Sequence, residues 1–170
     1  MQLTRAADYG VRVMMHLVCQ ASGTRASLTD LAEAADVSPA FLSKVLQRLV
    51  RAGLLASRRG KRGGFEMLEK GRQASLYDVL EALDGLPTLN VCLLDSGSCH
   101  RSPWCAAHTV WTGAQQRLLQ TLRETPIEGL AWDSHTRRLS MLPPSGAAQG
   151  QGPVRANGHG EGNGWCPVES

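Results

Sequence analysis

The 170-residue chain has few aromatic residues, no long apolar run and no export signal at its start. Aromatic residues make up 5% of the chain against an apolar fraction of 42%, which suits one small, mainly helical core. Arg5, Asp8 and Arg12 interrupt the apolar residues near the N-terminus, so neither a signal peptide nor a membrane span is expected. These absences predict a cytoplasmic protein with no membrane partner.

The sequence also lacks the residue patterns of catalysis and of a disulfide framework. It contains no acid–base pair, no phosphate-binding loop and no nucleophile with its base, so an enzyme is not expected. Its five cysteines are an odd number, and in a reducing compartment such a set favours metal binding or redox activity over structural disulfides. With catalysis and a disulfide framework not expected, the sequence favours a binding or regulatory function.

The net charge of +3 conceals an asymmetry between the two parts of the chain. Residues 1–72 hold 12 Lys and Arg against 6 Asp and Glu, a balance of +6. Residues 73–170 hold 6 against 9, a balance of −3. A basic module of this size points to nucleic acid, with a solvated surface of mixed charge as the alternative.

A helix-turn-helix motif is predicted over about residues 28–52. Ser27 and Asp30 have the spacing of a capping box at the start of a short helix. Ser38 is a good N-cap for a second helix, and Pro39 suits its first position because that N–H would have no partner in any case. Two short helices joined by a tight turn are typical of DNA-binding proteins.

A basic hairpin is predicted directly after this motif, over about residues 54–68. Two short apolar stretches bracket a glycine-rich loop that carries four cations. A helix-turn-helix followed by such a wing is the winged-helix arrangement. The predicted fold class is therefore mainly α, a winged helix-turn-helix domain with a small β-hairpin wing and a long C-terminal dimerisation helix.

These elements supply candidate contacts to double-stranded DNA. The second helix of the motif scans the major groove, while a basic wing grips phosphate or enters the minor groove. Lys44, Gln47 and Arg48 are the candidates for base or phosphate contacts, with Ser38 and Ser43 in support. The wing candidates for backbone and minor-groove contacts are Arg58, Arg59, Lys61 and Arg62.

The loop over residues 92–105 contains three cysteines, Cys92, Cys99 and Cys105, and His108 follows it. Six residues separate the first two cysteines and five separate the next two, which is wider than the tight pair of a zinc finger. Soft sulfur ligands select zinc, copper(I) or iron–sulfur clusters over magnesium or calcium. A bound soft metal is therefore predicted, and ordinary small buried residues are the alternative.

A long helix is predicted over about residues 103–124, opened by Ser102 and Pro103. Its apolar stripe consists of Trp111, Ala114, Leu118 and Leu122. A stripe of this length needs a partner helix, and two-fold DNA sites favour a symmetric dimer. Core packing within the monomer is the alternative.

Two further boundaries complete the predicted organisation. A first amphipathic helix is expected over residues 5–20 with Thr4 as its N-cap. After one last short helical turn near residue 127, Gly, Pro, Ser, Gln and Asn dominate the composition from about Asp133. The regulator domain is therefore predicted over residues 1–132, with a disordered tail over residues 133–170 in which Cys166 has no role.

The chain contains the short motifs Met1-Gln2-Leu3-Thr4, Asp8-Tyr9-Gly10, Arg12, Arg51-Ala52-Gly53, Arg59-Gly60, Gly63-Gly64 and the three cysteines. Over residues 1 to about 132 these motifs resemble the Rrf2 family of bacterial regulators. The resemblance implies a homodimeric repressor that binds a palindromic promoter site and holds one iron–sulfur cluster, 2Fe–2S or 4Fe–4S, in each protomer. It implies further that the cluster senses nitric oxide, redox state or iron–sulfur status.

The resemblance also implies three cysteine ligands and a fourth ligand of another type. His108 lies three residues after Cys105 on one helical face and is favoured. Asp8 resembles a carboxylate that some members donate from the partner subunit. The alternative functions are a zinc-stabilised regulator and a metal-free thiol sensor in which Cys99 and Cys105 form a reversible disulfide.

Overall fold

The computed structural model of the protein describes residues 3–60, 63–94 and 99–141. None of the helices in these ranges is both long and apolar enough to span a membrane. The helices are α1 (Arg5–Val18), α2 (Leu28–Ala35), α3 (Pro39–Arg51), α4 (Glu69–Arg72), α5 (Leu76–Asp84), α6 (Ala106–Arg123) and α7 (Ile127–Met141). The strands are β1 (Arg25–Ala26), β2 (Leu55–Arg58) and β3 (Gly64–Met67), and a 3-10 turn spans Val91–Leu93.

Helix α1 begins at its predicted cap and ends two residues early. The Thr4 hydroxyl oxygen accepts a hydrogen bond from the Ala7 N–H at 3.3 Å. At the other end, Arg72 donates to the carbonyl oxygens of Val18 and Gln20 at 3.1 and 2.8 Å. Arg72 therefore satisfies carbonyl groups that the end of a helix leaves without helical partners.

The predicted helix-turn-helix is present as α2 and α3. The Ser27 hydroxyl accepts from the Asp30 N–H at 3.1 Å, and the Asp30 carboxylate accepts from the Ser27 N–H at 3.3 Å. This reciprocal pair is a complete capping box. Asp36 then adopts a left-handed backbone with φ 54°, which allows a tight turn. Ser38 caps α3, whose first residue is Pro39 as the sequence predicts.

The wing is an antiparallel hairpin with an additional strand. Strands β2 and β3 pair with Leu55 opposite Met67, and β1 joins the other edge of β3, so the sheet order is β1-β3-β2. A Cβ at Gly64 would lie 2.5 Å from the Ala26 carbonyl oxygen, and its φ is +149°, so the close approach of β1 requires glycine. Strand β1 is not predicted from the sequence, because two residues are too few to show alternation.

The core lies between α1, the helix-turn-helix, the sheet, α5 and the first turns of α7. Helix α1 contacts α2, α3, α5 and α7. The Ile127 N–H donates to the Ala74 carbonyl oxygen at 3.0 Å, which joins the start of α7 to the residues before α5. The largest fully buried side chains are Met14, Leu17, Leu31, Leu42, Leu46, Leu49, Leu54, Leu55, Leu80, Ile127, Val13 and Val45.

Helix α7 is longer than the short turn that the sequence predicts. It runs to Met141, nine residues past the expected domain boundary at 132, so the expected disorder does not begin at Asp133. Ile127 and Ala131 are buried and attach the helix to the core, and no proline or glycine interrupts it between residues 130 and 141. The rest of the predicted tail, including Cys166, lies outside the described residues.

Helix α6 begins later than predicted. Its first residue is Ala106 and its N-cap is Cys105, whereas Ser102 and Pro103 lie in a turn before the helix. In that turn the Ser102 N–H donates to the Cys99 carbonyl oxygen at 3.1 Å. The predicted start at Pro103 is therefore wrong by three residues, because this turn continues the cysteine loop.

Candidate functional site

Helix α3 has one buried and one exposed face. Leu42, Val45, Leu46 and Leu49 face the core. Lys44 and Gln47 are exposed, Ser38 is exposed at the N-cap, and Ser43 is half-buried. Arg51 is also exposed and lies seven residues after Lys44, which places both on one helical face. Arg51 is not among the DNA contacts predicted from the sequence, although its spacing from Lys44 is visible there.

Arg48 differs from the other predicted DNA contacts on α3. Its Nη1 donates to the Leu83 carbonyl oxygen at 2.6 Å and to Asp84 Oδ1 at 3.2 Å. Both acceptors belong to the last turn of α5. Because part of its hydrogen-bonding capacity is already used within the protein, Arg48 is a weaker candidate for reading DNA than Lys44 or Gln47.

The exposed part of the wing is basic. Arg58 at the end of β2 and Arg59 after it are both exposed, while Lys61 and Arg62 lie outside the described residues. A Cβ at Gly63 would lie 2.4 Å from the Arg58 carbonyl oxygen, so Gly63 lies close to the backbone at the end of β2. The arrangement presents cations beside the helix-turn-helix, as an interface with a polyanion requires.

The three cysteines of the loop are all half-buried free thiols. Cys92 lies in the Val91–Leu93 turn, Cys99 precedes a turn, and Cys105 caps α6. Residues 95–98 lie outside the described residues. The loop therefore offers soft sulfur donors from three separate local structures.

His108 adds a nitrogen donor close to Cys105. The His108 side chain is half-buried in the first turn of α6, and its Nδ1 atom is buried without a hydrogen-bond partner. A buried ring nitrogen without a partner is costly and calls for a ligand or a proton partner. By the chemical type of their donor atoms, three thiols and one imidazole fit an iron–sulfur cluster or zinc.

Within the described part of the chain, however, no three Cys, His, Asp or Glu side chains lie together as a metal site. Asp8, the alternative fourth ligand, is exposed on α1 and forms an ion pair with Arg12 at 2.9 Å. Arg12 also lies over the Tyr9 ring. The structure therefore supplies the predicted donors, but among the described residues it does not bring three of them together as a metal site.

Gln115 on α6 attaches the segment that precedes the cysteine loop. Its side-chain oxygen accepts from the Leu89 N–H at 2.9 Å, and its side-chain nitrogen donates to the Pro87 carbonyl oxygen at 2.8 Å. The amide thus pairs with both kinds of backbone group. No sequence signal identified Gln115, because its partners are 26 and 28 residues away in the chain.

Helix α6 is mostly exposed at its N-terminal half and packed at its C-terminal half. Val110 is 66% exposed and Trp111 is 40% exposed. Leu122, by contrast, is buried with Leu80 of α5, and Leu118 packs against this pair. Two residues of the predicted dimer stripe, Leu118 and Leu122, therefore contribute to packing within the protomer.

Comparison with known proteins extends these observations. The Rrf2 family model, described as an iron-dependent transcriptional regulator, matches residues 3–133. A helix-turn-helix-type transcriptional regulator of Mycobacterium tuberculosis is 32% identical over 162 residues, which cover 95% of this chain and 100% of that protein.

Two solved structures show the fold. CymR, described as the global cysteine regulator of B. subtilis, has a TM-score of 0.64 and 23% identity, over 78% of this chain and 98% of that one. IscR of T. potens has a TM-score of 0.62 and 20% identity, over 89% of this chain and 94% of that one. The predicted mainly helical winged-helix fold is confirmed.

Proposed function

The chain belongs to the Rrf2 family of transcriptional regulators, and we propose that it is a repressor whose DNA affinity depends on an iron–sulfur cluster held by Cys92, Cys99 and Cys105. The observation that carries the proposal is the group of three free, half-buried thiols between the basic winged helix and α6. When bound, such a cluster supplies a centre that reacts with nitric oxide or oxidants. The family is one of regulators and not of enzymes.

The proposed DNA contacts follow from exposure and charge. Lys44 and Gln47 are proposed to reach base edges in the major groove, because they lie on the exposed face of α3. Ser38, Ser43 and Arg48 are proposed as supporting contacts. Phosphate and minor-groove contacts are assigned to the basic wing, namely Arg58, Arg59, Lys61 and Arg62.

His108 is proposed as the fourth ligand. Its partnerless buried Nδ1 and its position one turn after Cys105 support this choice over Asp8, whose carboxylate is paired with Arg12. The exposed apolar face of α6 supports a homodimer, because an apolar helical surface of this kind is normally covered by a partner. A two-fold protein suits a palindromic promoter site.

The cofactor is tested by purifying the full-length protein without oxygen. We expect a brown protein that contains iron and sulfide, and Cys92→Ser, Cys99→Ser or Cys105→Ser to lose both. Cys166→Ser is the control and should retain them. His108→Ala should lose or destabilise the cluster while Asp8→Ala retains it, and the reverse result would assign the ligand to Asp8. Colourless wild-type protein without iron would refute the cluster.

The regulatory step is tested by DNA binding. The cluster-loaded protein should bind a promoter site more tightly than protein from which iron has been removed, when both are measured at the same salt concentration. Equal affinities would exclude control by the cluster. A reporter gene under that promoter should be expressed more strongly when the regulator is deleted, which tests repression.

Direct thiol sensing is the second candidate. It is favoured by the separate placement of the three free thiols and by the resemblance in fold to a regulator described as a cysteine regulator. In this case a peroxide would oxidise the Cys99 and Cys105 thiols to a disulfide, and their two protons and two electrons would reduce the peroxide to water. A thiol reductant would reverse the step. One zinc in colourless protein would instead select a zinc-stabilised regulator.

A further inference from the structure

The recognition helix α3 is joined to the end of α5 through Arg48. The guanidinium contacts the Leu83 carbonyl oxygen at 2.6 Å and the Asp84 carboxylate at 3.2 Å. The Asp84 side chain is only 22% exposed, so water screens this pair less than a fully exposed one. The end of α5 and the helix α3 are therefore joined by direct side-chain contacts.

Helix α1 meets the same point. The Thr4 hydroxyl donates to Asp84 Oδ2, so this carboxylate binds groups from both α1 and α3. Gly10 of α1 faces Leu83 so closely that a Cβ there would lie 2.2 Å from Leu83 Cδ1. Three helices thus meet at the last two residues of α5.

A short segment connects this point to the cysteine loop. Residues 85–90, here called the linker, leave α5 at Gly85 and lead into the turn that contains Cys92. Gln115 holds the middle of the linker on α6 through Pro87 and Leu89. The linker is the whole covalent connection between α5 and this turn, and its six residues span about 20 Å at most.

We propose that Arg48 and Asp84 are positioning residues that couple the cysteine loop to the recognition helix through the linker. The inference rests on the proposed function in one respect, since it takes the cysteine loop as the sensing part. A change in the loop shifts the end of α5, and the Arg48 contacts pass that shift to α3 and so to its exposed Lys44 and Gln47.

The first test is independent of any cofactor. Hydrogen exchange of residues 85–92 is measured in the full-length wild type and in Arg48→Met, Asp84→Asn and Arg51→Met. We expect exchange to rise roughly threefold or more in the first two variants, because the end of α5, from which the linker starts, is no longer held to α3. Arg51→Met, which removes an exposed cation from the same helix, should match the wild type. If residues 85–92 of Arg48→Met and Asp84→Asn, the two coupling variants, exchange as fast as those of the wild type, the proposal is overturned.

The second test measures DNA affinity in two states of the loop. A DNA site selected by the wild type from a random pool is bound by anaerobically purified protein and by protein treated with a chelator and N-ethylmaleimide. The ratio of the two affinities should fall toward one in Arg48→Met and Asp84→Asn but persist in Arg51→Met. A ratio that persists in both coupling variants contradicts the coupling.

Two further results separate the possible explanations. If the wild-type ratio is itself one, the proposed sensing function fails, and the exchange measurement still decides whether Arg48 and Asp84 couple the linker to α3. Arg48→Met could instead weaken DNA binding equally in both states of the loop and lower the salt dependence of binding by about one ion. If Asp84→Asn has neither effect, Arg48 is a DNA contact and not a coupling residue. Asparagine has nearly the same shape as aspartate, so both measurements can be made on Asp84→Asn alone if Arg48→Met does not fold.

Discussion

Individual residues set how closely the wing and its neighbours pack. Gly71 in α4 lies against the chain just before β2, where a Cβ would be 2.2 Å from the Leu54 carbonyl oxygen and 3.2 Å from Met67 Cγ. The nearest atom belongs to the backbone, so it cannot move aside as a flexible side chain can. Glycine at this position permits α4 to close over the hairpin that carries the basic wing.

Gly71→Ala should lower the free energy of unfolding by about 1–3 kcal/mol, because the added methyl group forces a backbone shift. Urea denaturation measures the change. The matched control is Gly113→Ala in α6, where the nearest atom to the new Cβ is Arg117 Nη2 at 4.0 Å. The control should be neutral or stabilising by up to about 1 kcal/mol, and equal losses in both variants would contradict the packing argument.

His16 makes stability depend on pH. Burial lowers the pKa of His16 below its ordinary value of 6.5, and the Asp30 carboxylate partly opposes this effect. The folded state therefore favours the neutral His16 ring. The contribution of His16 to the free energy of unfolding is complete above pH 6.5 and is lost as the pH falls below that value. Urea denaturation between pH 7 and pH 5 should show a smaller loss for His16→Gln than for the wild type.

At the scale of elements, the capping boxes determine where the helices begin. Ser27 and Asp30 define the start of α2, and Ser75 and Asp78 make the same reciprocal arrangement at α5. The first box fixes the entry to the helix-turn-helix, and the second fixes α5, whose end contacts α3. Local side-chain hydrogen bonds therefore place both helices that frame the recognition helix.

Ser27→Ala should destabilise the protein by about 1 kcal/mol, because the Asp30 N–H loses its acceptor at the N-terminus of α2. The exposed neighbour Thr29 supplies the control, and Thr29→Ala should change stability by less than about 0.5 kcal/mol. Thermal and urea unfolding of both variants measure the effect. A Ser27→Ala protein as stable as the wild type would show that α2 is held by tertiary packing alone.

At the scale of the whole molecule, α6 combines two roles. Its C-terminal half packs Leu122 against Leu80 of α5, while Val110 and Trp111 near its N-terminus remain exposed. The same helix carries Cys105 at its cap and Gln115, which holds the linker. The proposed dimer surface therefore lies on the same helix as the last cysteine of the loop.

Val110→Glu should convert a dimer into a monomer, because the new carboxylate would lose water at an apolar interface. Light scattering should then give a mass near 18.3 kDa instead of twice that value. Gln116→Glu places the same charge on an exposed residue about 120° around the helix from Val110 and should leave the mass unchanged. A wild type that is monomeric at micromolar concentration would refute the dimer.

Much of the DNA-binding part was predictable because its signals are local. The capping residues and the apolar period of α3 act within one or two helical turns, so Ser27, Ser38 and Pro39 were correctly assigned from the sequence. The start of α6 and the length of α7 were wrong, since a turn that continues the cysteine loop and the burial of Ile127 determine them. Both depend on contacts between distant parts of the chain.

The sequence by itself determined the order of the helix-turn-helix and wing, the basic charge of this half, and the presence of three cysteines and His108 in one loop region. Only the tertiary structure decided that Arg48 binds the end of α5, 35 residues away, and that Gln115 holds the linker. The physical reason is that caps and periodicity depend on near neighbours, whereas the partner of a long polar side chain depends on which helices the fold brings together.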